Sequence, residues 1–464
     1  MVNVAGHVVA QSLFPLTVSR PFATWSEQDP IDWWTATQQA VGQFDLDLRR
    51  QVQAIGLSGQ MHGAVLLGED DTPLRPAILW NDGRSAAACA QLEAKVPRSS
   101  EITGNLAMPG FTAPKLLWVK ENEPDVFGQI AHVLLPKDYV RLCLTGEKAS
   151  DLSDSAGTLW LDTGLRGWSV EMLAACELTT DHMPKLYEGN QVTGQLRAEI
   201  AALWGMGRVP IAAGAGDNAA GAAGIGVISD GEALLSLGTS GVIFVATDRF
   251  RPNPERAVHA FCHCLPDMWH QMSVHLSAAS CLDWGAATLG LDVHAFLAAA
   301  EKAGIAQGPE LFLPFLSGER TPHNDPYLRA GFLGLDNDSD AGRLAASVLE
   351  GVAFAHADGL AALQAAGTTV ETMSVIGGGE RSTHWGIILA SALNVPLVYL
   401  ESGELGPAMG AARLAHMAAT GAAAAEVCTA PPVKHVIEPD PAVAERLAPK
   451  RERFGRATRA IRTL

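Results

Sequence analysis

The stretch Gly214-Ala215-Gly216-Asp217-Asn218 decides the fold of this chain, because it follows the apolar run Val209-Pro210-Ile211-Ala212-Ala213 and places one carboxylate where a strand ends. Glycines at such a position let a ligand approach the backbone closely. A single acid at the mouth of a strand is suited to act as a base toward a bound hydroxyl. The pattern therefore predicts a ligand site at Asp217.

A second glycine turn, Ser236-Leu237-Gly238-Thr239-Ser240-Gly241, lies between the apolar segments 234–235 and 242–244. Its hydroxyls and backbone amides are groups that can cradle an anion such as phosphate. Most turns of this composition are simply turns, so the segment alone is weak evidence for a phosphate site. Together the two segments match phosphoryl transfer to an alcohol, which needs a base for the hydroxyl and donors for the phosphate oxygens.

The composition is that of a folded protein with more than one domain. The 464 residues are 48% hydrophobic and 18% charged, and this length predicts two domains of roughly 200 residues each. The formal net charge of −17 argues against nucleic acid or an anionic membrane as a partner. The sequence has no apolar run near the length of about 20 residues that spans a bilayer, and Met1 to His7 does not resemble a signal peptide.

The cysteines indicate a reduced, cytoplasmic protein. There are seven of them, an odd number scattered along the chain, which fits free thiols. Cys262-His263-Cys264 contains metal-binding residue types, but no second ligand pair with zinc spacing lies nearby. We therefore interpret this segment as a buried strand.

Short β-rich runs alternate with longer helical patterns, which indicates an α/β fold. The predicted strands include 54–58, 64–67, 209–213, 242–246 and 373–376, and the predicted helices include 30–41, 343–363, 406–419 and 442–461. The segment Gly226 to Gly231 is the expected hinge. It divides the chain into a domain of residues 1–230 and a domain of residues 231–464.

Two common phosphate-transfer motifs are absent from the sequence, namely the Gly-x-x-x-x-Gly-Lys-Ser/Thr loop and the His-Arg-Asp catalytic loop. Gly377-Gly378-Gly379 follows a predicted strand but does not match the dinucleotide fingerprint Gly-x-Gly-x-x-Gly. This triplet is either a tight strand-to-helix turn or a place where the backbone lies flat against a nucleotide.

These motifs together resemble the FGGY family of carbohydrate kinases, which share the actin and hexokinase ATPase fold. Gly110 to Asn122 is similar to the first signature of that family, and Ala330 to Leu335 with the helix that follows is similar to the second. Ile55 to Gly63 (Ile-Gly-Leu-Ser-Gly-Gln-Met-His-Gly) resembles the sugar-site segment of members that act on D-xylulose. The resemblance covers essentially the whole chain. It implies two actin/hexokinase-like (ribonuclease H-like) α/β domains with a cleft between them, the first binding sugar and the second binding nucleotide.

The resemblance also implies roles for individual residues. Asp217 is the expected general base on the attacking sugar hydroxyl. The residues expected to bind the sugar are Trp25, Met61, His62, Asp217 and Asn218. The residues expected to bind the nucleotide are Gly238, Thr239, Ser240, Gly378 and Gly379. Lys115 and Trp118 are expected to be structural, as a lysine whose ammonium group reaches solvent and as a core indole.

The sequence departs from the family pattern at its first residues. FGGY kinases open with a β-hairpin whose Asp-x-Gly-Thr-Ser turn is a phosphate loop, and the Asp of that loop helps to hold Mg²⁺. Here Gly6-His7-Val8-Val9-Ala10 is similar to the segment that follows the loop. We therefore expect the first strand and this phosphate loop to be missing, and no metal ligand is assigned.

The expected function is phosphorylation of D-xylulose to D-xylulose 5-phosphate by ATP and Mg²⁺ in the cytoplasm, with no nucleic acid or membrane partner and with a homodimer left open. One alternative is a kinase for a related sugar such as ribulose or gluconate. Another is a catalytically impaired sugar- or nucleotide-binding protein, because half of the phosphate clamp is expected to be missing. An actin- or chaperone-like ATPase is a third alternative, against which the sugar-site segment argues.

Overall fold

The computed structural model describes residues 1–377, 382–401 and 406–462. The helices in these residues are α1 Pro30–Gly42, α2 Leu46–Arg50, α3 Ala86–Lys95, α4 Ser99–Thr103, α5 Thr112–Asn122, α6 Pro124–Phe127, α7 Pro136–Thr145, α8 Leu152–Ser155, α9 Val170–Ala175, α10 Ala198–Trp204, α11 Asp217–Ile225, α12 Ala279–Thr288, α13 Val293–Ala303, α14 Ala341–Gln364, α15 Thr383–Leu393, α16 Gly406–Thr420, α17 Ala424–Val427 and α18 Pro441–Ile461.

The strands in the same residues are β1 Glu27–Gln28, β2 Ser58–Gly59, β3 Val65–Leu67, β4 Ala77–Ile78, β5 His132–Leu134, β6 Ala149–Asp151, β7 Leu161–Asp162, β8 Gly167–Trp168, β9 Lys185–Tyr187, β10 Val192–Gln195, β11 Pro210–Ala212, β12 Ala215–Gly216, β13 Ala233–Leu237, β14 Gly241–Thr247, β15 His259–Cys262, β16 Trp269–His275, β17 Leu311–Leu313, β18 Gly331–Leu333, β19 Met373–Gly377, β20 Leu397–Leu400 and β21 Val433–Ile437. Strands and helices alternate along the chain, which confirms the predicted α/β class.

The largest sheet in the described part of the chain has seven strands in the order β15-β16-β14-β13-β19-β20-β21. Its centre is parallel, because β19 pairs in parallel with both β13 and β20. Leu237 at the end of β13 is in register with Gly377 at the end of β19. Since the carboxyl ends of parallel strands lie at one edge of a sheet, the Gly238 turn lies at the same edge as Gly377.

Helix α14 forms the centre of the core that covers this sheet. Its N-cap Asp340 accepts a hydrogen bond from the amide of Arg343, as a helix start requires, and Val348 and Val352 are fully buried. Among the described residues it is the one helix long and apolar enough to cross a membrane, but 83% of its apolar window is buried inside the protein. These properties are those of the core helix of a globular protein.

The first half of the chain brings the Asp217 segment beside the Met61 segment. Strand β12, which precedes Asp217, pairs in parallel with β2, which precedes Met61. The predicted strand 54–58 is shorter than expected, because Ile55 forms only an isolated bridge with Ile211. Since β2 and β12 run in parallel, the residues that follow them emerge side by side.

Helices α11 and α16 cross at very close range. A Cβ atom on Gly224 of α11 would lie 2.1 Å from the carbonyl oxygen of Gly406, and one on Gly410 of α16 would lie 1.8 Å from that of Ala220. Gly56 also faces α16, with the carbonyl oxygen of Ala411 at 1.8 Å from its ideal Cβ position. Glycine at these positions is what lets the backbones touch.

The expected hinge, residues 226–231, lies between α11 and β13, and the division of the chain at residue 230 stays a prediction.

Candidate active site

Asp217 is the first residue of α11 and directly follows β12. Its Oδ1 accepts hydrogen bonds from the Asn218 amide at 2.8 Å and from Asn218 Nδ2 at 3.0 Å. Within the described ranges no group donates to Oδ2, so this oxygen is left for a ligand. Burial raises the pKa of the Asp217 carboxyl to about 6, although the two hydrogen bonds from Asn218 act in the opposite direction. A carboxylate with a raised pKa is a stronger general base.

Met61 packs against the turn that carries Asp217. Its side chain is buried, and a Cβ on Gly216 would lie 2.9 Å from Met61 Cγ. Asn218 Nδ2 is 4.0 Å from Met61 Sδ. The structure therefore places Met61 and Asn218, two of the residues predicted from the sequence, in contact beside the candidate base.

His62 presents a neutral imidazole. Its Nδ1–H donates to the carbonyl oxygen of Gly157 at 2.7 Å, which leaves Nε2 as a hydrogen-bond acceptor. Burial lowers the pKa of the His62 imidazole to about 3. The ring is held edge-on against Phe111, with the centroids 4.8 Å apart, and a Cβ on Gly157 would lie 2.6 Å from the ring. His62 is thus a fixed, uncharged acceptor rather than a cation.

Lys115 supports the backbone of His62, and the prediction that its ammonium group reaches solvent is wrong. The residue is fully buried, and its Nζ donates to the carbonyl oxygen of His62 at 2.7 Å. Thr112 Oγ1 donates to the same oxygen at 3.1 Å. His62 has a φ of 69°, an unfavourable value for a residue with a side chain, so these two donors from α5 hold it in place. Burial lowers the pKa of Lys115 well below its usual value.

Arg320, which the sequence analysis did not single out, lies beside the same group of rings. Its Nη1 donates to His259 Nε2 at 3.4 Å, and the Nδ1–H of His259 donates to Asn105 Oδ1 at 2.8 Å. The positive charges of Lys115 and Arg320 both act to lower the pKa of His62. The candidate sugar pocket is thus bordered by cations in a protein whose formal charge is −17.

Trp25 lies in a separate aromatic contact. The guanidinium carbon of Arg84 is 3.5 Å from its ring centroid, and the rings of Phe22 and Trp118 are 4.5 and 5.3 Å away. Arg84 is in turn held by carboxylates of Asp82 and Glu27. None of these partners is Met61, His62 or Asp217, so the role of Trp25 as a wall of the sugar pocket stays a prediction.

The Gly238-Thr239-Ser240 turn is anchored by its carbonyl groups. The amides of Ala278 and Ala279 donate to the carbonyl oxygens of Thr239 and Gly238, each at 2.9 Å. Thr239 and Ser240 are exposed, and in the described residues their amides and hydroxyls have no recorded acceptor. The amide of Gly238, in contrast, donates to the carbonyl oxygen of Ser240 at 3.1 Å. A turn with its carbonyls tied down and with exposed Thr239 and Ser240 amides that have no acceptor among the described residues is suited to bind an anion.

Gly378 and Gly379 lie outside the described residues, so their expected contact with nucleotide stays a prediction. Gly377, which precedes them, has a φ of 86°, and a Cβ there would lie 2.9 Å from the carbonyl oxygen of Leu237. A glycine is required at this position for both reasons. It brings the end of β19 against the end of β13, next to the Gly238 turn.

No cluster of three or more His, Cys, Asp or Glu side chains that could hold a metal ion occurs in residues 1–377, 382–401 and 406–462. Cys262 and Cys264 are buried, and their thiols face the carbonyl oxygens of Thr163 and Ala219.

Comparison with known proteins identifies the family. The N-terminal domain of the FGGY family of carbohydrate kinases matches residues 1–224, and its C-terminal domain matches residues 233–419. The chain is 55% identical to the xylulose kinase of Escherichia coli (strain K12) over 421 residues, covering 90% of this chain and 87% of the relative. It is 52% identical to the xylulose kinase of Klebsiella pneumoniae, covering 100% and 96% of the two chains.

Solved structures agree with this result. A protein of Brucella ovis described as a "xyloylose kinase" superposes with a TM-score of 0.96 at 49% identity, covering 100% of this chain and 96% of that one. The resemblance inferred from the glycine turns and the Gln-Met-His segment is confirmed. The chain belongs to the FGGY family of carbohydrate kinases.

Proposed function

We propose that this chain is a xylulose kinase, which transfers the γ-phosphoryl group of ATP to the 5-hydroxyl of D-xylulose and releases ADP and D-xylulose 5-phosphate. The observation that carries the proposal is the Asp217 carboxyl, whose Oδ2 accepts no hydrogen bond within the described residues and whose turn packs against Met61, the neighbour of the neutral His62. The names of the E. coli and K. pneumoniae relatives support the choice of sugar. The Gln-Met-His segment supports the same choice.

Asp217 acts as the general base. As the bond between O5 and the γ-phosphorus forms and the bond from phosphorus to the bridging oxygen breaks, the O5 proton passes to Asp217 Oδ2. The hydrogen bonds from Asn218 to Oδ1 fix the carboxylate, so Oδ2 keeps one orientation toward the hydroxyl. Positioning of this kind is the main contribution that a protein makes to phosphoryl transfer.

The sugar is recognised by polar atoms of fixed direction. Nε2 of His62 accepts from a sugar hydroxyl, because Nδ1–H is already committed to Gly157. Met61 supplies an apolar surface next to the Asp217 turn. A site built to pair with a hydroxyl rejects analogues that lack it or place it elsewhere, since a buried polar group is then left unpaired.

The phosphates of ATP bind at the Gly238-Thr239-Ser240 turn, where the amides and hydroxyls of Thr239 and Ser240 meet their oxygens. Mg²⁺ fits the site as a partner of the ATP phosphates rather than as the occupant of a cage of protein side chains, and when bound it neutralises charge that develops on the phosphoryl oxygens. Gly378, Gly379 and Trp25 keep the roles predicted for them from the sequence. The cytoplasmic location and a homodimer also stay predictions.

The test is a coupled assay of ADP release with the purified chain. D-xylulose should give turnover with a higher kcat/KM than D-ribulose, gluconate or glycerol, and Asp217→Asn should abolish most of it. A higher kcat/KM for another sugar would contradict the substrate assignment. Sugar binding by calorimetry without any turnover would support the alternative of an impaired binding protein.

A further inference from the structure

A cluster of buried ions lies behind the turn that carries Asp217. The ion cluster consists of Lys137, Asp138, Arg141, Asp151 and Asp154, whose side chains are at most 1% exposed. Lys137 Nζ lies 2.6 Å from Asp138 Oδ1, 2.7 Å from Asp151 Oδ1 and 3.2 Å from Asp154 Oδ2. Buried charges are costly unless they are paired, and Lys137 is the cation that all three carboxylates share. Burial raises the pKa of the Asp154 carboxyl well above its usual value, although Lys137 acts in the opposite direction.

The ion cluster is hydrogen-bonded to the end of β11, the strand that leads to the Asp217 turn. Arg141 Nη1 donates to the carbonyl oxygen of Ala212 at 2.8 Å, and its Nη2 donates to the carbonyl oxygen of Ala213. The same Nη2 lies 3.4 Å from Asp138 Oδ1. The guanidinium therefore ties the last residues before Gly214 to the Asp138 carboxylate of α7.

Ser153 connects the ion cluster to the peptide next to the base. The amide of Gly216 donates to Ser153 Oγ at 3.2 Å, and Ser153 Oγ donates to Asp151 Oδ2. Asp151 also caps α8 by accepting from the Ser153 amide at 2.8 Å. The path from Lys137 through Asp151 and Ser153 thus ends on the amide group of the residue that precedes Asp217.

We propose that Ser153 is a positioning residue for the catalytic base, and that the ion cluster is the platform against which it holds the Gly216–Asp217 peptide. The proposal rests on the assignment of Asp217 as the base. Ser153 has no direct role in the reaction. It fixes the start of α11, so the Asp217 carboxyl stays buried and Oδ2 stays aimed at the pocket.

The first experiment compares Ser153→Ala with Ser155→Ala. Both serines are fully buried in the short helix α8, but Ser155 Oγ donates to Ser150 Oγ, away from the Asp217 turn. Ser153→Ala should lower kcat by roughly 10- to 100-fold, the scale expected when a reacting group is displaced by a fraction of an ångström to one ångström. The KM for ATP should stay within about twofold, because the phosphate turn is not touched. Equal effects of the two variants on kcat would overturn the proposal.

The second experiment needs no enzymatic activity, so it separates a failure of this inference from a failure of the proposed function. The Asp217 carboxyl is titrated by carbon-13 NMR and identified by its loss in Asp217→Asn. If Ser153 holds the turn, Ser153→Ala admits water to the carboxyl and its pKa falls toward the ordinary range of aspartate, whereas Ser155→Ala leaves it unchanged. An unchanged pKa in Ser153→Ala contradicts the inference. If Ser153→Ala fails to fold, Ser153→Cys is used instead, because it nearly keeps the side-chain volume while replacing the hydroxyl oxygen by a weak acceptor. A lowered pKa of Asp217 in Ser153→Cys supports the inference, and an unchanged pKa contradicts it.

Discussion

Burial acts in opposite directions on the two ionisable side chains at the centre of the site. It raises the pKa of Asp217 to about 6 and lowers that of His62 to about 3. In both cases the charged form is disfavoured because its hydration is lost. The consequence is that His62 is uncharged above about pH 4, whereas Asp217 loses its proton as the pH rises through about 6.

The first prediction concerns the pH dependence of turnover. Only the deprotonated Asp217 accepts a proton, so kcat at saturating substrates should be constant above about pH 7 and should fall tenfold per unit below about pH 6. His62 should add no further step above pH 5. The measurement is a kcat profile from pH 5 to 8.5 in buffers of constant ionic strength. An acidic limb centred near pH 4 would mean that Asp217 titrates as an exposed carboxyl or is not the base.

The second prediction concerns Asp217→Asn. Loss of the base should lower kcat by about 10²- to 10⁴-fold, with a smaller change in the KM for D-xylulose. Asp267→Asn, which changes an exposed acid, is the matched control and should keep full activity. Near wild-type turnover in Asp217→Asn would show that Asp217 is not the general base.

The same variant has a predicted effect on stability with a definite sign. A carboxyl whose folded-state pKa is raised favours folding only while it is protonated, so its contribution is present below the unfolded pKa of about 4 and is lost as the pH rises through about 6. Asp217→Asn should therefore be more stable than the parent at pH 8, and the advantage should shrink as the pH falls toward 4. Urea midpoints at several pH values test this. A constant difference across that range would contradict it.

The third prediction concerns His62. Replacing it by alanine removes the fixed acceptor Nε2, so the ratio of kcat/KM for D-xylulose over D-ribulose should fall while the KM for ATP stays nearly unchanged. His132→Ala, a change on β5, serves as the control histidine. If the KM for ATP rises and the sugar preference is kept, His62 belongs to the nucleotide site.

At the scale of elements, periodicity in the sequence predicted the long helices to within two residues. The predicted segments 30–41 and 343–363 correspond to α1 Pro30–Gly42 and α14 Ala341–Gln364, because each has an acidic N-cap and a clear apolar face. Helix α11 was missed, since six of its nine residues are alanine or glycine and seven are buried. A helix that is buried all round has no polar face from which a period can be read.

The candidate site could be predicted from the sequence only in part. Asp217, Met61 and His62 were predicted because they belong to recognisable motifs. Lys115 and Ser153 act on a carbonyl oxygen and an amide that lie 53 and 63 residues away. Contacts of a side chain with distant backbone leave no local pattern in the sequence, so only the folded structure reveals them.

The fourth prediction concerns the two strand ends that meet at the phosphate turn. Gly377→Ala forces a side chain onto a backbone with a φ of 86° and toward the carbonyl oxygen of Leu237. The strain of about 1–2 kcal/mol should displace the Gly238 turn, lower the melting temperature and raise the KM for ATP more than that for the sugar. Gly331→Ala, where a Cβ would meet nothing within 4 Å, is the control and should change neither the melting temperature nor the KM for ATP. An unchanged KM for ATP in Gly377→Ala would show that the end of β19 does not position the Gly238 turn for ATP.

At the scale of the whole molecule, the helix that begins with Asp217 and the C-terminal FGGY domain are linked through direct backbone contact. Helix α11 begins with Asp217, and its Ala220 and Gly224 lie against Gly410 and Gly406 of α16. These contacts involve main-chain atoms, and Arg413 of α16 adds a hydrogen bond from its Nη1 to the carbonyl oxygen of Ala223 in α11 at 2.8 Å. Movement of α16 should therefore be transmitted to the start of α11 and to the orientation of Asp217.

This crossing also has a consequence for how the gene tolerates variation. Any missense change in the codons of Gly56, Gly224 or Gly410 adds at least a methyl group, and each position has a carbonyl oxygen within 2.1 Å of where it would sit. In a saturation library selected for growth on the sugar, these codons should be recovered almost exclusively with synonymous changes, whereas Gly42 and Gly167, which face open space, should accept many residues. Equal tolerance at the two sets of codons would show that the helices can separate without loss of function.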